Sequence, residues 1–153
     1  MVCRNQVPVT LKIDVWHTSQ ILICICSSLC MLQVETAGAE YMAAAGVPNA
    51  CRSPACALTS FAANAMCHLD SLRWSTGLKV GVKMGINSGN LVAGVAGKMS
   101  PRFRLFGNCV NIAARLKSDA EDGDIIASQD HIETMRRYAI SVSRCPQIFC
   151  ART

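Results

Sequence analysis

Asn111 and Arg115 lie four residues apart in the stretch Asn108-Cys109-Val110-Asn111-Ile112-Ala113-Ala114-Arg115. On a helix that spacing places both side chains on one face. The guanidinium of Arg115 offers a planar set of donors that suits phosphate oxygens. The amide of Asn111 can orient a ribose or a metal-bound group. Lys98, Arg102 and Arg104 precede the pair and add positive charge. Together these side chains describe a site for a small anion. Taken alone, an Asn/Arg pair on a helix also describes a solvated face or a cap. Glu35, taken by itself, reads as an exposed strand carboxylate.

These residues need a scaffold, and the hydrophobic pattern supplies one. Residues 33–45 read as strand, turn and strand around Gly38, closed by Gly46-Val47-Pro48-Asn49. Leu58, Phe61, Ala62, Ala65, Met66, Leu69 and Leu72 recur at helical spacing, with Ser53-Pro54 as the start and Ser75-Thr76-Gly77 as the end. Residues 79–87 alternate as a strand, with Val80, Val82, Met84 and Ile86 on one face. Residues 91–95 give a short second strand, and Gly97-Lys98-Met99-Ser100-Pro101 a loop. A helix is predicted over 108–117 with Asn108 as its cap, then a strand over 124–127 and a helix opened by Ser128. Residues 1–30 give no distinct pattern, and the signal weakens again from Ile140. The order strand-strand-helix-strand-strand-helix-strand-helix predicts a mixed α/β class, an α+β sandwich of ferredoxin-like type. Many functions share that architecture, so the fold alone assigns none.

Composition narrows the field. The chain has 153 residues, 51% of them apolar and 16% charged, which predicts one globular domain with a core. A net charge of +5 fits an anionic small ligand but is too small to argue for nucleic acid, and no RNA- or DNA-binding motif is present. The 10 cysteines show no secretory signal beside them and no zinc-ligand spacing, so they read as reduced, buried small hydrophobes in a reducing, intracellular compartment. The apolar run over 21–32 is too short to span a bilayer and reads as a buried strand or core helix. His17, His68 and His131 have no partners at ligand spacing and read as surface or satisfied core residues. Gly85, Gly89, Gly94 and Gly97 form no phosphate cradle and are expected to permit close backbone packing.

Three stretches carry a family resemblance. Pro101-Arg102-Phe103-Arg104-Leu105-Phe106-Gly107-Asn108-Cys109-Val110-Asn111-Ile112-Ala113-Ala114-Arg115-Leu116 resembles the class III nucleotidyl cyclase signature in its guanylyl cyclase form, P-R-Y-C-L-F-G-D-T-V-N-x-A-S-R-M. Upstream, Gly85-Ile86-Asn87-Ser88-Gly89-Asn90-Leu91-Val92-Ala93-Gly94-Val95-Ala96-Gly97 resembles G-I-H-T-G-x-V-V-A-G-V-V-G. Val34-Glu35-Thr36-Ala37-Gly38-Ala39-Glu40-Tyr41-Met42 resembles V-E-T-I-G-D-A-Y-M. The resemblance implies the nucleotidyl cyclase fold, here incomplete at both ends. It divides the chain into a divergent segment 1–30, a cyclase-like domain 31–137 and a divergent tail 138–153.

The resemblance also implies a reaction. Members convert a nucleoside triphosphate into a 3′,5′-cyclic nucleotide and pyrophosphate at a site shared by two domains. One domain brings two aspartates that hold Mg2+ or Mn2+, and the other brings base recognition and an Asn/Arg pair. Asn111 and Arg115 match that pair, as catalytic residues. Glu35 matches the residue that selects guanine, and Arg104 stands where guanylyl cyclases usually carry Cys; both are substrate-binding candidates that favour GTP over ATP. The metal set is not matched. The second family aspartate falls at Ala39, and Glu40, one position on, belongs to the opposite strand face. Asp14 is only a faint echo of the first, closer to Glu35 than the family spacing allows, and no residue of this chain is assigned as a metal ligand. The late phosphate-binding lysine has no match after Arg137.

The expectation is therefore a guanylate cyclase-like domain in a homo- or heterodimer, whose partner binds the metal. It would lie in the cytoplasm, or on the cytoplasmic side of a membrane as part of a larger receptor. The alternatives are a catalytically inactive dimerisation or regulatory module and a truncated gene product.

Overall fold

The structure is a computed structural model that describes residues 2–13, 31–37, 40–76, 81–137 and 148–150. In chain order its elements are β1 (Val2–Ile13), β2 (Met31–Ala37), β3 (Glu40–Ala45), α1 (Pro54–Thr76), β4 (Val82–Ile86), β5 (Gly89–Ala96), β6 (Arg102–Phe106), α2 (Asn108–Asp119), β7 (Ile125–Ala127), α3 (Gln129–Arg137) and β8 (Ile148–Cys150).

The strands run β2-β3-β1-β4-β7-β8 across the sheet. The C-terminal half of β1 sits antiparallel between β3 and β4, with Lys12 opposite both Glu40 and Lys83. Its N-terminal half leaves that ladder and pairs with β5, which in turn pairs with β6. Strand β7 joins β4 in parallel, and β8 joins β7 in parallel. Three of these strands are absent from the sequence-based reading. The pattern over 1–30 is indistinct, yet β1 is the strand that links both parts of the sheet. Strand β6 falls inside the motif before α2, where its Arg-Phe-Arg-Leu-Phe pattern alternates too briefly to stand out. Strand β8 is three residues long.

Alternation along the strands divides the apolar residues into two cores. One face buries Tyr41, Ala43 and Ala45 of β3 with Val82, Met84 and Ile86 of β4, covered by Leu58, Phe61, Ala62, Ala65 and Met66 of α1 and Met135 of α3. Within it, the rings of Tyr41 and Phe61 stack with centroids 6.2 Å apart. The other face gathers Ala44 and Val47 with Leu91, Ala93 and Leu105, and with partly buried Leu32, Val34, Met42, Phe103 and Val110. Helix α2 and the β5–β6 hairpin cover this second face.

Local signals explain the helix boundaries. Pro54 is the first residue of α1, where a missing N–H does no harm, and Ala57 N–H donates to the Ser53 carbonyl at 3.0 Å. Ser128 caps α3 as expected, its Oγ accepting from His131 N–H at 3.2 Å. Asn108 does not cap α2. Gly107 takes that position at φ 152°, no side chain caps the helix, and Asn108 is its first residue. A Cβ on Gly107 would sit 3.1 Å from the Asn90 carbonyl oxygen, so the tight approach of β5 decides the residue.

Gly85 explains how closely α2 lies on β4. A Cβ there would fall 2.1 Å from the Ala113 oxygen and 2.4 Å from the Lys117 nitrogen. The expectation of close packing at glycines holds at Gly85 and at Gly89, which faces the Cys109 side chain, but not at Gly94, which has open space above it.

Candidate active site

Helix α2 presents Asn111 and Arg115 on its exposed face. Neither side chain hydrogen-bonds to another described residue. The opposite face buries Cys109, Ala113, Leu116 and Lys117. Asn111 and Arg115 therefore share a face, as their spacing requires, and stand available to a ligand.

The second core assembles the remaining candidates around that helix. Val34 precedes Glu35 on β2, Phe103 and Leu105 flank Arg104 on β6, and Val110 precedes Asn111 on α2; all four apolar residues belong to the same cluster. Burying them brings β2, β6 and α2 together, and β6 contacts β2. Arg104 is exposed on β6 opposite Gly94. Glu35 faces Met42 in the β2–β3 ladder, beside a register shift between Gln33 and Glu35. The shift marks a bulge, which re-aims the strand at that point.

The start of α2 is held by polar contacts that the sequence did not reveal. Asn87, after β4, donates from Nδ2 to the Cys109 carbonyl at 3.2 Å and accepts at Oδ1 from Ser128 Oγ at 2.6 Å. One buried amide thus joins the first turn of α2 to the cap of α3. Beside it, His131 is fully buried and satisfied at both ring nitrogens, with Ser88 Oγ 2.8 Å from Nδ1 and Thr59 Oγ1 2.9 Å from Nε2. Burial lowers the His131 pKa to about 4, so the ring is neutral near pH 7. His131 is a satisfied core residue, as its lack of ligand-spaced partners predicts. The contact partners lie 22 to 72 residues apart along the chain, so no local pattern announces them.

Cys109 is packed, as expected. Burial above all pushes its thiol up to about 12, against a smaller opposing effect of its contact with Asn87. Burial, and then the neighbouring Cys51, also raise the Cys56 thiol. Cys51, Cys56, Cys67 and Cys109 are all free thiols. Cys24, Cys26 and Cys30 lie outside the described residues.

The described residues do not form a metal centre. Among them, no group of three His, Cys, Asp or Glu could hold an ion. Glu40, the carboxylate nearest the family's second aspartate position, is engaged by Lys117 in an ion pair. Ala39 and Asp14 lie outside the described residues, and Ala39 offers no donor atom. Strand β8 has the sequence Ile-Phe-Cys and brings no lysine.

A mixed sheet carrying an exposed Asn/Arg helix and an arginine-bearing hairpin defines an α/β domain. Its family is now plain: the chain belongs to the adenylate and guanylate cyclase catalytic domain family, whose model matches residues 12–149. Soluble guanylate cyclase 89Da of Drosophila melanogaster is 34% identical over 116 residues, covering 72% of this chain and 16% of that protein. Receptor-type guanylate cyclase gcy-23 of Caenorhabditis elegans is 30% identical over 115 residues, covering 69% of this chain and 10% of that protein. The chain thus spans a small part of the curated relatives it matches. Among solved structures, the guanylate cyclase domain of RhGC from Catenaria anguillulae in complex with GTP superposes with a TM-score of 0.83 at 22% identity, covering 89% of this chain and 84% of that one. The adenylyl cyclase CyaB from P. aeruginosa superposes with a TM-score of 0.79 at 20% identity, covering 90% of this chain and 83% of that one. At these identities the likeness is one of fold, and it is the nucleotidyl cyclase fold. No helix among the described residues is long and apolar enough to cross a membrane.

Proposed function

We propose that this chain is the nucleotide-positioning half of a dimeric guanylate cyclase site, acting on GTP to give cyclic GMP and pyrophosphate. The observation that carries this reading is the apolar cluster of Val34, Phe103, Leu105 and Val110, which joins the elements that carry Glu35, Arg104 and Asn111, with Arg115 one turn further along α2. In the reaction the ribose 3′ hydroxyl loses its proton, its oxygen bonds the α-phosphorus in line, and pyrophosphate leaves. Arg115 donates to the α-phosphate oxygens as their charge builds, and Asn111 orients the ribose. Glu35 accepts from the guanine N–H and amino donors, a pair adenine lacks, and Arg104 donates to guanine O6 or N7. Mg2+ or Mn2+ would be held by aspartates of the partner domain.

The β5–β6 hairpin supports a dimeric arrangement. The exposed large hydrophobics among the described residues are Val92, Val95, Met99 and Phe106, all on this one hairpin and its loop, and Val92 lies directly opposite Phe106. An apolar group of that kind favours a partner surface. The receptor-type cyclases among the relatives favour a place on the cytoplasmic side of a membrane within a longer protein.

The ion-paired Glu40 and the alanine at position 39 also favour a second reading, an inactive dimerisation or regulatory module. Product formation separates the two. The purified chain, alone and mixed with a complete cyclase domain, is assayed with GTP and Mn2+ or Mg2+. The half-site reading expects product above the partner's own rate only in the mixture, with the gain lost on Arg115→Ala. A gain that survives Arg115→Ala belongs to a regulatory module.

A further inference from the structure

Lys117 and Glu40 form a contact that neither core explains. Lys117 lies two residues beyond Arg115 on α2, on the buried face of the helix. Its side chain is 8% exposed, whereas that of Glu40 is 48% exposed. An ammonium so far withdrawn from water requires a carboxylate partner, and Lys117 Nζ donates to Glu40 Oε1. Glu40 is the first residue of β3, opposite Ala37 of β2, two rungs of the ladder from the Glu35–Met42 pair. The absent side chain at Gly85 lets α2 lie low enough over β4 for Lys117 to reach this strand.

We infer that Lys117 and Glu40 are positioning residues that set the distance between the base-reading strand β2 and the phosphate-reading helix α2. The inference rests on the half-site reading above. One end of the pair is rooted in the helix of Asn111 and Arg115, the other in the hairpin of Glu35. A nucleoside triphosphate touches both elements at once, whereas a nucleoside or a polyphosphate touches one. The gain from joining two contacts in one ligand depends on their spacing. An apolar pair of similar volume would hold the fold equally well, since buried ion pairs contribute little net stability over such replacements. What the ion pair adds is a fixed link between the two elements.

The test uses the full chain mixed with a metal-bearing cyclase domain and follows GTP turnover, with guanosine and inorganic tripolyphosphate as competitive inhibitors. Two paired variants are compared with the natural chain: Lys117→Met with Glu40→Leu, and the exchange Lys117→Glu with Glu40→Lys. In the apolar pair, the KM for GTP rises about ten-fold at nearly constant kcat, while both inhibition constants stay within about two-fold. The exchanged pair recovers most of the lost affinity. A KM within about two-fold of the natural chain in the folded apolar pair overturns the inference. So does a parallel loss of GTP, guanosine and tripolyphosphate affinity, which is the mark of general damage to the fold. Failure of the half-site reading shows separately, in an Arg115→Ala variant that turns over GTP as the natural chain does.

Discussion

The two faces of the sheet differ less in what they bury than in what they do with polar side chains. Beneath α1 and α3, the buried polar side chains Thr59, Ser88 and His131 are all partnered internally. His131 is satisfied by Thr59 and Ser88, and Thr59 also donates to the Ala55 carbonyl at 2.9 Å. On the α2 face, Asn111 and Arg115 are exposed and bond to no described side chain. The first arrangement fixes one packing of helices on strands, because leaving any member of the network unpaired is penalised. The second leaves donors ready for a ligand. Asn87 and Ser128 join the two regions, since the amide that holds the start of α2 is itself held by the cap of α3.

Substitutions in the two regions should therefore separate activity from stability. The largest effect is expected on the α2 face. Arg115→Ala should lower cyclic GMP formation in the partner mixture by roughly 100- to 1,000-fold, or about 3–4 kcal/mol of transition-state stabilisation, with the unfolding midpoint nearly unchanged. Gly85→Ala, beneath the same helix, should behave oppositely. Its Cβ has no room against Ala113 and Lys117, and a loss of about 3 kcal/mol in urea unfolding is expected. A stable Gly85→Ala chain would mean that α2 does not lie as close as the structure has it.

The buried histidine adds a pH signature. The folded pKa of His131, about 4, lies below its unfolded value of 6.5. Between these values the unfolded chain binds the extra proton, so stability is full above about pH 6.5, falls as the pH drops toward 4, and is flat below it for this group. The part of the fall due to His131 should be about 2–3 kcal/mol and should be missing in His131→Gln, as read from urea unfolding at pH 7 and pH 4.5. An identical fall in that variant would assign the slope to other groups. The smallest effect concerns the thiols. Cys67 is exposed, whereas the Cys109 thiol is buried and raised to about 12. Iodoacetamide at pH 8 should alkylate Cys67 in the folded chain and reach Cys109 only on unfolding, as read by peptide mapping.

Sequence and structure agree most where the signal is local. The α1 positions at helical spacing are buried as predicted through Met66, Ser128 caps its helix, and the Asn111–Arg115 spacing gives a shared face. The stretches that carry the family resemblance lie on β2 and β3, on β4 and β5, and on β6 and α2. What escaped the sequence depends on long-range pairing. Strand β1 becomes a strand because it fills the gap between β3 and β4, and no short window contains that information. Gly107, not Asn108, takes the cap position of α2, with a positive φ and β5 passing close above it. The Lys117–Glu40 ion pair joins residues 77 positions apart and runs against the rule that lysines stay in solvent. The position of Glu35 in the ladder is set by a bulge that the alternation of residues 33–45 did not show.

The most direct test of the account uses a partner cyclase domain that keeps its metal aspartates but has its own Asn/Arg pair replaced by alanine. Such a partner has no complete site of its own. Mixed with it, this chain should restore cyclic GMP formation from GTP with Mn2+, and its Arg115→Ala variant should not. A mixture that stays inactive while the two proteins demonstrably associate would contradict the claim that α2 of this chain supplies the nucleotide-positioning half of the site.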